Sequence, residues 1–259
     1  METRQIKSKD RVRERGEVFT SEREVNAMLD LVKEETERIE SRFLEPACGT
    51  GNFLAEVLRR KLKACKRYEK SPVEWEKNAF FAVSSIYGID IMDDNVKECR
   101  ARLYDIWVKE ANRILSTNYT DGRVGVPSPT AVCLTPPPRS ARAVAFLLER
   151  NILLGNALSL KIVDSRGNDT KTPITFSEWS WAMGNKIQRR DFRLDVLLEK
   201  GEAGTENQMT LNLFADSSAS DACNWMVDPE DPEGKRQIPA PTKVWPLVDY
   251  WNIYEKHES

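Results

Sequence analysis

Histidine is nearly missing from this chain: His257 stands alone, and the five cysteines, Cys48, Cys65, Cys99, Cys133 and Cys223, form no C-x-x-C pair. A protein metal site is therefore not expected. No apolar run reaches the roughly 18 residues that a membrane-crossing helix needs, and the opening Met1-Glu2-Thr3-Arg4-Gln5 leads into charge rather than the apolar core of a signal peptide. The expectation is a cytoplasmic protein with reduced thiols and no membrane partner. Charge of one sign is also lacking, since 39 basic and 41 acidic residues leave a net charge of −2. Global charge alone cannot carry a nucleic-acid role, which would need local patches or a partner.

What is present suffices for one α/β domain, because 259 residues can bury a full core. Residues 1–15 alternate in charge without apolar periodicity and read as a flexible charged arm. Val25, Met28, Leu29, Val32 and Ile39 recur at helical spacing after Ser21, a residue suited to an N-cap. Phe43 to Phe53 reads as a strand ended by a glycine turn, followed by a helix through Leu54, Val57, Leu58 and Leu62. A short helix over 74–87 should feed a strand at 85–91, and Asp93 and Asp94 should open a long helix. Five prolines make 117–142 a surface loop; strands are expected at 151–156 and 193–198, and 200–259 reads as irregular. Alternating strands and helices predict a mostly parallel sheet with helices on both faces.

Chemistry concentrates at Gly49-Thr50-Gly51, where a backbone without side chains can approach a ligand closely. A dinucleotide-binding fingerprint would require a third glycine at position 54, which is Leu54, and an acid about 20 residues further on, whereas the acid ending the next strand is Asp90. A nicotinamide cofactor is disfavoured.

The run Leu44-Glu45-Pro46-Ala47-Cys48-Gly49-Thr50-Gly51-Asn52-Phe53-Leu54 closely resembles the first motif of the adenine-specific DNA methyltransferases of restriction-modification and phage-defence systems. The resemblance implies a Rossmann-like class I methyltransferase fold over 16–199, with S-adenosylmethionine as cofactor. It implies that the glycine turn passes under the methionine moiety and that Glu45 holds its amino group, as a carboxylate would an ammonium. Gly16-Glu17-Val18-Phe19-Thr20 resembles the family's tenth motif, with Phe19 and Thr20 at the cofactor and Ser21 in place of the usual proline. Asp90, followed by Ile91, matches the acid that accepts the ribose hydroxyls, and Asn156-Ala157 matches the third motif, where an Asp normally meets the cofactor's adenine. Cofactor contacts are thus expected from Phe19, Thr20, Glu45, Pro46, Ala47, Cys48, Gly49, Gly51, Asn52, Phe53, Asp90, Ile91, Asn156 and Ala157. Outside 11–160 the likeness is looser, at 176–180 and 189–192.

The family's Asx/Ser-Pro-Pro-aromatic tetrad, which orients and stacks the flipped adenine, is missing. Thr135-Pro136-Pro137-Pro138 precedes the third motif and lacks the aromatic, and Glu199-Lys200-Gly201-Glu202 occupies the expected place. No catalytic residue is assigned. Two accounts stay open: a cofactor-binding subunit whose catalytic motif and DNA target recognition come from a second protein subunit, or a silent module that binds cofactor or DNA and scaffolds a defence complex. Trp245, Tyr250, Trp251 and Tyr254 suit either packing back on the core or docking a partner, and Lys186, Arg189, Arg190 and Arg193 either a solvated face or phosphate contact.

Overall fold

The structure, a computed structural model, describes residues 11, 13, 20–119, 140–198, 225–229 and 237–256. Arg11 and Arg13 are helical, and Ser21 caps α1 (Glu22–Asp30) in a reciprocal box: the Glu24 N–H donates to Ser21 Oγ at 3.3 Å and the Ser21 N–H to Glu24 Oε2 at 3.0 Å. The helix expected to run on to residue 40 breaks after Asp30 and resumes as α2 (Lys33–Glu37). Strand β1 (Phe43–Glu45) leads through the glycine turn into α3 (Asn52–Ala64), whose Leu54, Val57, Leu58 and Leu62 are buried. A 3-10 turn (Cys65–Tyr68) precedes α4 (Pro72–Ser84), started by the Ser71 cap and a proline in the first turn. Then come β2 (Ile86–Asp90), α5 (Asp93–Tyr119), α6 (Ala141–Asn151) and β3 (Ile152–Asn156). α5 runs to Tyr119 and α6 starts at Ala141, so both enter the loop expected over 117–142; Thr135 to Pro138 lie outside the described residues.

β1, β2 and β3 pair in parallel and in sequence order; β4 (Lys161–Val163) and β5 (Asp169–Pro173) extend that sheet antiparallel from β3. Three parallel strands laid down in order with right-handed crossovers put their connecting helices on one side, because a second helical layer requires the strand order to reverse. The burial follows this rule. Ile86 and Ile152 join the helical core with Leu54, Val83 and Leu103, whereas Tyr87 and Ile89 point to the other face and pack with Ile174, Phe176 and Leu194. Helices on both faces are thus replaced, among the described residues, by helices on one face and antiparallel strands on the other.

That second layer is built on β6 (Thr175–Trp181) and β7 (Lys186–Arg193), with β10 (Lys243–Val244) and β11 (Val248–Asp249) paired to the free edge of β7. The strand expected at 193–198 is instead the end of β7 and a short helix, α7 (Leu194–Leu198), where Asp195 accepts the Val196 N–H at 2.9 Å. Five apolar-rich residues fit either element, so periodicity over so short a stretch does not decide between them. Nor are the described parts of 200–259 irregular: β8 (Trp225–Val227) pairs with β9 (Gln237–Pro239), and α8 (Ile253–Lys256) ends the described chain. Trp245, Tyr250 and Ile253 are buried, so the C-terminal aromatics pack back on the core. Among the described residues, no helix is long and apolar enough to cross a membrane.

Candidate functional site

Parallel strands converge their C-terminal ends on one edge of a sheet, and in open α/β sheets ligands bind there. The last residues of β1, β2 and β3 are Glu45, Asp90 and Asn156. Registry sets them as a staircase: Glu45 stands level with Gly88 and Asp90 with Leu154, so each lies two residues beyond its neighbour's level. With strands about 4.8 Å apart and about 3.3 Å of rise per residue, Glu45 and Asn156 sit roughly 16 Å apart, with Asp90 between them.

The turn between β1 and α3 is held from below and from the side. Cys48 N–H donates to the Ile89 carbonyl at 2.9 Å, Gly51 N–H to the Cys48 carbonyl at 2.8 Å, and Gly49 N–H to Asp90 Oδ2 at 2.9 Å. Gly49 and Gly51 take φ of +51° and +82°, the left-handed region that side chains disfavour. A Cβ on Gly51 would lie 2.6 Å from Cys99 Sγ of α5, so this glycine makes room for the packed helix. Cys48 is buried, and its thiol pKa is pushed up by its hydrogen bond with Cys99 and then by burial; both cysteines pack in the helical core.

Asp90 is a hub. Its Oδ1 accepts the Met92 N–H at 2.8 Å and Asn95 Nδ2 at 3.3 Å, while Oδ2 holds Gly49. Glu45 differs: it is half-buried, burial raises its pKa, and the Ala47 N–H opposes that rise. Asn156 forms an Asx turn, accepting the Leu158 N–H at 3.0 Å and donating to Asp169 Oδ1 at 3.0 Å.

The remaining expected contacts fall around this edge to different degrees. Phe19 lies outside the described residues. The Thr20 carbonyl accepts Asn52 Nδ2 at 3.2 Å, which ties the tenth-motif segment to the first turn of α3, and Arg102 of α5 donates to Asn52 Oδ1. Pro46 and Ala47 are exposed, Ile91 is half-buried directly after β2, and Phe53 packs against the helical core. Ala157 packs on the cluster around Tyr87 and Ile89. This edge forms the ledge of the candidate site; a groove of about 520 Å³ between α1, α3 and α5 reaches Asn52, another of about 700 Å³ lies beside α2 and α3, and neither is lined by Glu45 or Asp90. Among the described residues no group of side chains is set to hold a metal ion.

The basic residues of β7 do not present free charge to phosphate. Lys186 pairs with Asp249 at 3.2 Å, Arg189 with Asp191 at 2.8 Å, Arg190 with Glu178 at 4.0 Å and Arg193 with Asp195 at 2.5 Å. Sequence reasoning missed a different stretch, 59–70, whose exposed cations become visible only once the partners of each charge are known. No known protein family, curated protein or solved structure matches the chain.

Proposed function

We propose that the chain binds S-adenosylmethionine along this ledge and serves as the cofactor-binding subunit of a DNA adenine methyltransferase whose catalytic motif and target recognition lie on a partner subunit. The carrying observation is the order of groups along the edge. Glu45, Asp90 and Asn156 follow one another across adjacent parallel strands, with a left-handed glycine turn beside the first two. An extended ligand with an amino group at one end, a ribose in the middle and a purine at the other meets matching acceptors in that order. A half-buried carboxylate gains most from a cation, and the ammonium of the methionine moiety supplies one to Glu45.

The topology supports the division of labour. The crevice of an open α/β sheet forms where strand order reverses, and a reversal next to this ledge would need a further strand beside β1. Among the described residues β1 is the edge of its sheet, so the second wall of that crevice has to come from elsewhere. The experiment is tritiated methyl incorporation into unmethylated DNA with this chain, with its partner subunit, and with both. Transfer is expected only from the mixture; robust transfer by this chain alone would refute the split reading.

A silent scaffold module is the second reading, and one observation favours it. Asp90 already accepts hydrogen bonds from Gly49, Met92 and Asn95, and Asn156 is committed to its own turn. Ribose hydroxyls would therefore have to share or replace these donors at Asp90. Absence of cofactor binding would refute the cofactor subunit and leave a silent module that binds DNA; cofactor binding without transfer even in the mixture would leave one that binds cofactor.

A further inference from the structure

We infer that the outer face at the end of α3 is a contact surface for the phosphate backbone of duplex DNA, remote from the ledge. The inference rests on the nucleic-acid side of the proposed function and supplies the local patch that the chain's net charge of −2 does not.

Between Glu56 and Lys70 the chain carries seven basic residues and two acidic ones. Their roles separate in the structure. Lys61 is fully buried and donates to the carbonyls of Arg38 and Ile39 at 2.9 Å and of Ser41 at 2.5 Å, so it belongs to the core. Arg59 and Arg60 pair with Glu56 at 3.3 and 3.4 Å, and Arg60 also with Asp30 at 2.8 Å. Glu69 is taken by Arg113 at 2.5 Å. Lys63, Lys66, Arg67 and Lys70 remain: all four are exposed, and none forms an ion pair with a described carboxylate, Arg67 lying instead over the Tyr68 ring at 5.0 Å. The nearby acids are thus spent on other cations, leaving a stripe of unneutralised positive charge.

Geometry favours a regular polyanion. Positions 63, 66 or 67, and 70 stand three or four residues apart over the end of α3, its 3-10 extension and the turn that follows, covering about 10 Å at helical rise. A DNA strand presents one phosphate per roughly 3.4 Å of axis, so such a stripe meets about three phosphates. The groove of about 700 Å³ beside it is lined by Lys63 and Arg67 together with Lys33, Arg59 and Arg60 and with Asp30, Glu37 and Glu56; these three acids pair with Arg60, Lys33 and Arg59, which leaves Lys63 and Arg67 as its uncompensated cations. α3 starts at the glycine turn and runs 13 residues, or about 20 Å, so the stripe lies at the opposite end of the sheet from the ledge. It would therefore grip DNA flanking the reacting base without reading its sequence.

The test is fluorescence anisotropy of the full-length chain with a labelled duplex of about 30 base pairs, titrated over salt without cofactor, so that its failure leaves the cofactor titration untouched. The combined variant Lys63→Ala, Lys66→Ala, Arg67→Ala and Lys70→Ala is expected to flatten the salt slope by about 3 to 4 and to weaken binding about 100-fold at low salt. Lys63→Arg, Lys66→Arg and Lys70→Arg together should keep binding at the wild-type level and control for folding. Unchanged affinity in the alanine variant would overturn the inference. So would an equal loss on removing four exposed cations elsewhere, Arg23, Arg166, Lys171 and Lys256, or equal competition by polyglutamate, which would point to an acidic polypeptide instead.

Discussion

Two carboxylates in this molecule meet their surroundings in opposite ways. Asp191, on β7, is almost buried and fully answered: Arg189 donates to both its oxygens at 2.8 and 3.0 Å, Ser177 Oγ to Oδ1 and Trp245 Nε1 to Oδ2, each at 2.7 Å. Glu45, at the end of β1, is half-buried, has no described cation within ion-pair distance, and is held chiefly by the Ala47 N–H. A buried charge that builds a fold is compensated inside the fold, because leaving it unpaired is costly. A charge left half-answered at the C-terminal edge of a parallel sheet is better placed to receive something from outside. The antiparallel layer is therefore read as structure and the ledge as function.

Removing the Asp191 carboxylate should have the largest effect. Asp191→Ala strands the Arg189 guanidinium, 5% exposed, and the Trp245 indole, and should cost about 3–5 kcal/mol in urea unfolding. The remaining folded protein should bind S-adenosylmethionine as before; a parallel loss of affinity would mean the two regions are not separable. Gly51→Val comes next. Its backbone at φ +82° and the 2.6 Å approach to Cys99 Sγ predict loss of stability on the order of 2–4 kcal/mol together with loss of cofactor binding, read from thermal melts and titration of the same preparation. Retained stability would put the glycine's role back at the ligand.

Asp90→Ala should weaken cofactor binding by about 1–3 kcal/mol and loosen the turn, since the Gly49 and Met92 amides lose their acceptor. Equal affinity in calorimetry would remove Asp90 from the site. The smallest effect belongs to Glu45. Burial raises its carboxyl above the unreacted value of 4.5, so the folded state holds the proton more tightly than the unfolded chain. That stability is complete below 4.5 and is lost as pH rises through the raised folded value. Glu45→Gln should abolish this decline, melting slightly higher than wild type at pH about 8. A ligand ammonium favours the ionised form, so wild-type affinity should rise across the same window while the variant's stays flat.

The glycine turn, the Ser21 cap and the long α5 were legible in the sequence because each is encoded locally, by φ-tolerant residues, a capping pair or helical periodicity. α6 was lost against the neighbouring prolines, although Val144, Leu147 and Leu148 mark its buried side. The C-terminal layer was illegible for a different reason: β10 and β11 have two residues each, too few to show a period, and they exist by pairing with β7 far along the chain. The positive stripe was hidden because its residues are interleaved with buried Lys61, Leu62 and Cys65, and because charge reads as free or spent only when partners are known. At the ledge, residue types were readable, but the hydrogen bonds that bind Asp90 into the turn were not.

The most direct test is calorimetric titration of the wild-type chain alone with S-adenosylmethionine, repeated with Glu45→Gln. The account predicts saturable binding of one molecule per chain, weaker in the variant at neutral pH. No heat of binding from the folded wild-type chain, or identical affinity in the variant, would contradict it.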